Sequence, residues 1–208
     1  MSMRRGAFIF IFLGLLLSPA LAGAAPEPLR EAGAVEAYLN GISTLRARFV
    51  QTAGDGRQAG GTFLLKRPGR MRFEYAHPLT DFIVADGLFI YYYDGQMKQQ
   101  SNVPIGESLA GFFLRPDLKL SGDIGVSGIK RDGGLLRVTL VQSEDPLAGS
   151  LTLALTEHPL RLKKWIVVDA QGLITEVELF DVESGVKLDD DAFHYYDPER
   201  KNPSYNRN

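Results

Sequence analysis

Residue types able to do covalent or acid–base chemistry are sparse in this 208-residue chain, and their spacing does not suit it. His77, His158 and His194 are the three histidines; each stands beside a turn or an aromatic run, and no ligand spacing links them. They read as surface or packing residues. No cysteine is present to serve as nucleophile, metal thiolate or disulfide partner. Gly106-Glu107-Ser108-Leu109-Ala110 matches part of the nucleophile-elbow motif of hydrolases. That motif needs a strand leading in and a helix leaving within an α/β sheet, whereas here a proline-led loop comes first. Asp189-Asp190-Asp191 offers carboxylates to a cation, but a run of like charges is ordinarily a solvated loop. Nor is there a Gly-Lys-Ser/Thr loop to cradle phosphates. No catalytic residue, metal or cofactor is expected.

One side chain stands out by position. In GGTFLLKRPGRMRFEYAHPLTDFIVADGLFIYYYD, residues 60–94, two alternating runs meet at the turn Arg67-Pro68-Gly69. Phe63, Leu65 and, by the same period of two, Arg67 share a face. After the turn Met71, Phe73 and Tyr75 alternate with Arg70, Arg72 and Glu74. Asp86-Gly87 and Asp94-Gly95 supply the following hairpin turns. The stretch predicts an antiparallel meander with one apolar and one charged face, and a lone guanidinium where the apolar face ends.

The elements that must position that face follow from the rest of the chain. Val35, Tyr38, Leu39 and Ile42 have helical spacing within 28–43, and Gly41 marks the end of the helix. Leu45-Arg46-Ala47-Arg48-Phe49 switches to period two, and Gly54-Asp55-Gly56 turns it into the meander. Residues 96–102 predict a last short strand of this half. Residues 105–114 are apolar without strict alternation and predict a short helix that Pro116 stops. Strands are then expected over 126–131, 135–141, 149–155, 162–169 and 173–182, separated by Asp132-Gly133-Gly134, Pro159 and Ala170-Gln171-Gly172. The result is mainly β: about eleven strands and two helices in one antiparallel sheet, curled with its helices on the concave side.

Residues 1–24 read as a signal peptide. Arg4 and Arg5 precede an apolar run from Ala7 to Leu17, then small residues through Ala24, with cleavage after Ala22 or Ala24. That run is too short to span a bilayer comfortably. Without Arg4 and Arg5 the 23 cations become 21 against 25 acids, a net charge of −4. This disfavours a nucleic-acid partner, which calls for a basic stripe. Residues 25–198 form one domain and 199–208 a polar, loosely ordered tail. An exported, cysteine-free chain fits a periplasm.

An apolar concave face is either a packed core or a ligand cavity. Two features favour the cavity. Leu109, Phe112, Phe113 and Leu114 leave the second helix almost no polar side chain to face water, and Arg67 on an apolar face must find partners or be hydrated. The walls are expected to be Phe49, Phe63, Leu65, Met71, Phe73, Tyr75, Phe89 and Tyr91.

Leu45-x-Ala47-x-Phe49-x-Gln51, Gly61-x-Phe63 and Lys66-Arg67-Pro68-Gly69-x-Met71-Arg72-Phe73-x-Tyr75 resemble the periplasmic outer-membrane lipoprotein carrier family, LolA. So do Asp86-Gly87 with Tyr93-Asp94, and Trp165, Asp169, Gly172 and Thr175. The resemblance runs from about residue 29 to 197 and implies an unclosed β-barrel under a helical lid. It implies a soluble, monomeric, non-enzymatic carrier, not itself membrane-anchored. Acylated lipoproteins would be its cargo, taken from an inner-membrane ABC exporter and given to an outer-membrane receptor. Arg67 would hold the lid shut through helix carbonyls. The lid would be 105–114, with Leu109, Phe112, Phe113 and Leu114, together with the N-terminal helix carrying Val35 and Leu39. The ending Phe193-His194-Tyr195-Tyr196-Asp197-Pro198 departs from the family, having one proline where Phe-Pro-Pro is familiar. A carrier of another amphiphile on this fold, or a periplasmic sensor or interaction module, are the other readings.

Overall fold

Turns divide the chain, and strand alternation decides which face each residue takes. The computed structural model describes residues 27–107 and 109–200. The expected signal peptide, Ser108 of the degenerate elbow motif and tail residues 201–208 lie outside the described residues. One α-helix, α1 (Glu27–Asn40), is followed by β1 (Thr44–Ala53), β2 (Gln58–Lys66), β3 (Arg70–Tyr75), β4 (Phe82–Asp86), β5 (Phe89–Asp94) and β6 (Gln99–Pro104). The second half holds β7 (Ile124–Asp132), β8 (Leu135–Gln142), β9 (Gly149–Glu157), β10 (Leu160–Asp169) and β11 (Ile174–Ser184). The two-helix expectation needs correction. Its second helix is two 3-10 turns, Ile105–Glu107 and Leu109–Leu114, and a third, Asp190–Phe193, lies near the C-terminus.

All eleven strands form one antiparallel sheet in the order β6-β5-β4-β3-β2-β1-β11-β10-β9-β8-β7. Every neighbour in space is a neighbour in sequence except β1 and β11, which pair the two halves. β6 and β7 end the sheet without pairing to each other, so the barrel is not closed. Residues 105–123 cross from one free edge to the other, and the two 3-10 turns lie on that crossing. Irregular register at Arg46/Arg48, Leu162/Lys164 and Val126/Gly128 adds bulges, which bend and twist a sheet.

The core lines the concave side. Val35, Leu39 and Ile42, one stripe of α1 and its C-terminal turn, are buried against it. Polar bonds then fix where α1 lies: Asn40 bonds the N–H and the C=O of Leu118, Glu36 accepts from the Leu120 N–H, and the Tyr38 hydroxyl accepts from the Leu162 N–H. Gly61 serves packing. A Cβ there would stand 2.9 Å from a ring carbon of Phe49 and closer still to the Glu74 carbonyl. Only glycine leaves room for Phe49, which is buried with ring edges on Phe73 and Tyr75 at 5.0 and 5.2 Å.

The convex face carries a strap that the sequence reading had as loop and loose tail. The triple-aspartate run is solvent-exposed, and within it Asp190 pairs with both Lys66 and Arg70. Arg72 donates to the Ala192 carbonyl at 3.3 Å, and Phe193 is fully buried. Glu199, in the expected loose tail, accepts from the Tyr93 hydroxyl at 3.1 Å and pairs with Lys98.

Candidate functional site

The register places the cavity walls. Phe63 faces Phe73, which faces Ile83; Leu65 faces Met71, which faces Ala85 and then Ile90. These rows point inward together with Trp165 of β10 and Val177 and Leu179 of β11. They enclose about 210 Å³. Among the eighteen lining residues the polar side chains are Arg67 at one end and Gln51 toward the other, with Trp165 the one indole. Such a space has few polar partners to offer water and favours apolar occupants.

The lid rests on this space from above. Leu39 and Ile42 of the α1 segment and Phe113 of the second 3-10 turn line it. Phe113 meets Trp165 at 5.5 Å between ring centroids, so the lid packs on the far wall. Val35, Phe112 and Leu114 are buried beside the cavity rather than lining it. The side chain of Leu109 lies outside the described residues.

Arg67 stands where the lid meets the wall. Its Nε donates to the Ile42 carbonyl at 2.8 Å, and its peptide N–H donates to the Ser43 carbonyl at 2.8 Å. Nη1 is enclosed and has no acceptor. Burial pushes the guanidinium pKa below its ordinary value, yet an arginine remains charged in a protein. The acceptor lies two residues past the end of α1, so the expected bond to helix carbonyls is instead one to the turn that leaves the helix, which a donor-only guanidinium suits equally. The second lid segment is held differently. Gly69, at φ +79°, turns its N–H onto the Leu114 carbonyl at 2.8 Å, and a Cβ there would approach the Gly87 Cα to 2.9 Å. The Arg67-Pro68-Gly69 turn thus bonds both halves of the lid, one by side chain and one by backbone.

Phe63, Leu65, Met71 and Phe73 fall on the cavity wall as expected from alternation. Phe49 lies in the packed end beyond Phe73 rather than on the wall. Tyr75 sits past that end, its hydroxyl donating to Gln51 Oε1 at 2.7 Å; burial pushes its pKa up to about 12, so it stays a neutral donor. Phe89 and Tyr91 need correcting, because they face away from the cavity. Tyr91 stacks on Tyr195 of the strap at 4.6 Å, Phe89 packs on Tyr91, and Ile90 takes the inward place. Aromatics on both faces of β5 hide the alternation there. The wall's second half, Leu151, Leu162, Trp165, Val167, Val177 and Leu179, was not expected at the site. Its signal was available in β11, where Val177 and Leu179 alternate with Glu176 and Glu178.

The three histidines are exposed at separate turns and near the strap. Among the described residues no group of three His, Cys, Asp or Glu is placed to hold a metal ion, and no helix is long and apolar enough to cross a membrane.

The chain is 28% identical over 172 residues to an outer-membrane lipoprotein carrier protein of Methylibium petroleiphilum, covering 79% of this chain and 84% of that protein. It is 26% identical over 205 residues to one from Halorhodospira halophila, covering 94% and 92%. It is also similar to the solved structure of a LolA superfamily protein from Nitrosomonas europaea, at 12% identity and a TM-score of 0.41 over 79% of this chain and 97% of that one. The model of the outer membrane lipoprotein carrier protein LolA family matches residues 40–196, from the end of α1 through every strand to the strap, and the chain belongs to that family.

Proposed function

We propose that this protein is a non-enzymatic periplasmic carrier that binds the acyl chains of lipoproteins in the apolar cavity. It takes them from an inner-membrane ABC exporter and releases them to an outer-membrane receptor. Residues 1–24 direct export, and the mature chain works as a soluble monomer. The observation that carries this reading is an apolar cavity whose lid is bonded to the wall through one half-buried arginine. At about 210 Å³ it lies below the roughly 300–1,000 Å³ of ligand pockets. Loading therefore requires the lid to move, and the Arg67 bond to Ile42 resists it alongside the Gly69–Leu114 and Tyr38–Leu162 bonds. Arg67 is the latch of the empty state, and cargo opens the lid by outcompeting that bond.

The relatives' names and the family's place support the cargo assignment. The test is to express the protein in cells that make lipoproteins, purify it without detergent, and identify what travels with it by mass spectrometry. Acylated protein in stoichiometric amount is the expected result. Free phospholipid or glycolipid alone would reassign the cargo, and an empty protein under conditions of active export would remove the carrier reading.

A further inference from the structure

A second concavity lies against the far end of the apolar one. It is a groove of about 780 Å³ between the β1–β2 turn and the β3–β4 and β5–β6 loops. Register fixes the separation from the latch. Arg67 follows Lys66, which pairs with Thr44 at the start of β1, whereas Gln51 pairs with Ala59 seven residues along. At 3.3 Å per residue that is roughly 23 Å. Gln51 and Ile83 line both spaces, and the Tyr75–Gln51 hydrogen bond lies at the boundary between them.

The two chambers differ in chemistry. The cavity is apolar, but the groove presents the Tyr75 and Tyr92 rings and hydroxyls, the Gln51, Gln58 and Gln96 amides and the Asp81 and Asp94 carboxylates. Arg57 also lines it but is already paired with Asp55. Two carboxylates beside an arginine whose charge is taken disfavour a phosphate head. Tyr75 and Gln51 bond each other, Gln58 bonds Thr52, Tyr92 bonds Asp81, and Asp81 and Asp94 accept from loop N–H groups. The Gln96 amide, the second Asp94 carboxylate oxygen and the flat aromatic faces are left to meet uncharged peptide groups.

We propose that this groove is a second subsite, which takes the first residues of the polypeptide attached to the acylated end of the cargo. It rests on the acyl-cavity reading above. The apolar tail then runs from the Gln51–Tyr75 boundary toward Arg67, so that the end of the tail presses on the lid while the peptide stays at the opposite, polar end. Opening the Tyr75–Gln51 contact, with a shift of the Tyr75 ring off Phe49, joins the chambers. Selection of acylated protein over phospholipid comes from the groove, since the cavity meets the same hydrocarbon in both.

The test uses the mature protein and displacement of a fluorescent acyl probe by three ligands: a synthetic diacylated lipopeptide with a short neutral peptide, a long-chain fatty acid, and a phospholipid of matched chain length. Ala59→Trp fills the groove from β2. It is expected to weaken the lipopeptide at least tenfold while the fatty acid displaces the probe as before. A photo-crosslinking residue in place of Gln96 covers the case in which Ala59→Trp fails to fold. It should capture the peptide, and one in place of Leu88, exposed next to Gly87 at the latch turn, should not. Capture from position 88 and not 96, or unchanged lipopeptide binding by folded Ala59→Trp, overturns the groove and leaves the cavity reading intact. A phospholipid weakened as much as the lipopeptide overturns the peptide assignment. Failure of both lipopeptide and fatty acid to displace the probe from the wild type overturns the cavity reading and the groove together.

Discussion

Arg67 makes one side-chain bond to the lid, and a hydrogen bond from a charged donor contributes about 1.5–3 kcal/mol. It therefore biases closure by roughly ten- to a hundred-fold. A ligand shifts such an equilibrium only through its preference for one state. Arg67→Leu removes the closed-state bond without touching the Gly69 anchor of the second segment, so it should load cargo and retain it more tightly. Hand-off to the receptor should slow by about the same ten- to hundred-fold factor. Arg67→Lys should be intermediate, since an ammonium reaches a carbonyl but cannot hold it with a planar fork. Loading and hand-off measured separately decide this: wild-type hand-off in Arg67→Leu would leave Arg67 as mere rim packing. Gly61 tests the wall in another way. Gly61→Ala would overpack Phe49 and the Glu74 carbonyl, at a cost of about 1–3 kcal/mol. Thermal unfolding should show a lowered Tm, and an unchanged Tm would mean that β3 yields freely.

Among the elements, the strand hairpins were the most legible. Gly and Asp turns separate alternating runs, and each run's polar residues declare the outer face. Phe73 and Arg72, adjacent in β3, therefore point to opposite sides. Phe73→Asp should weaken cargo loading far more than Arg72→Asp, with circular dichroism checking that both fold; equal loading would mean the inward face is misassigned. Elements whose form depends on distant partners were less legible. The second lid segment was expected to be a helix because its residues are apolar. It is a 3-10 turn whose Leu114 carbonyl is held by a turn 45 positions earlier in the chain. β5 has aromatics on both faces because the strap packs on Tyr91 and Tyr93 of the outer one, and nothing local announces the strap. The strap also predicts a pH response. The Lys66 ammonium, with Arg70, holds the Asp190 carboxyl below its ordinary value of 3.8. A depressed folded-state pKa means that the clamp is fully present above the unfolded value and is lost as pH falls through the folded one. Backbone protection in 188–196, taken relative to the intrinsic exchange rate at each pH, should therefore fall below about pH 4, before the barrel unfolds. Asp190→Asn should show that loss of protection already at neutral pH; protection as high as in the wild type would show that Phe193 burial alone holds the strap.

At the scale of the molecule, the unclosed sheet offers the proposed carrier a means of opening. A closed barrel has a fixed bore, but here β6 and β7 are joined only through 105–123, the stretch that carries part of the lid. Displacing that stretch widens the cavity without breaking a strand pair. This matters because of what an acyl chain contributes once inside. Burial is worth roughly 0.8 kcal/mol per methylene, so on the order of 10 kcal/mol for a long chain as an upper bound. Latch closure returns only about 1.5–3 kcal/mol of that, far too little to expel the chain into water. An acceptor with its own apolar site removes the deficit, because the chain never has to be solvated, and the latch bond then biases the transfer forward. On the proposed reading, the exporter supplies the energy of loading. Cargo on the purified protein should therefore remain bound in buffer for hours and leave within minutes when an acceptor with a competing acyl site is added. Arg67→Leu should lengthen the second time but not shorten the first. Release into plain buffer at the acceptor-driven rate would show that the acyl chain is not buried in the cavity at all.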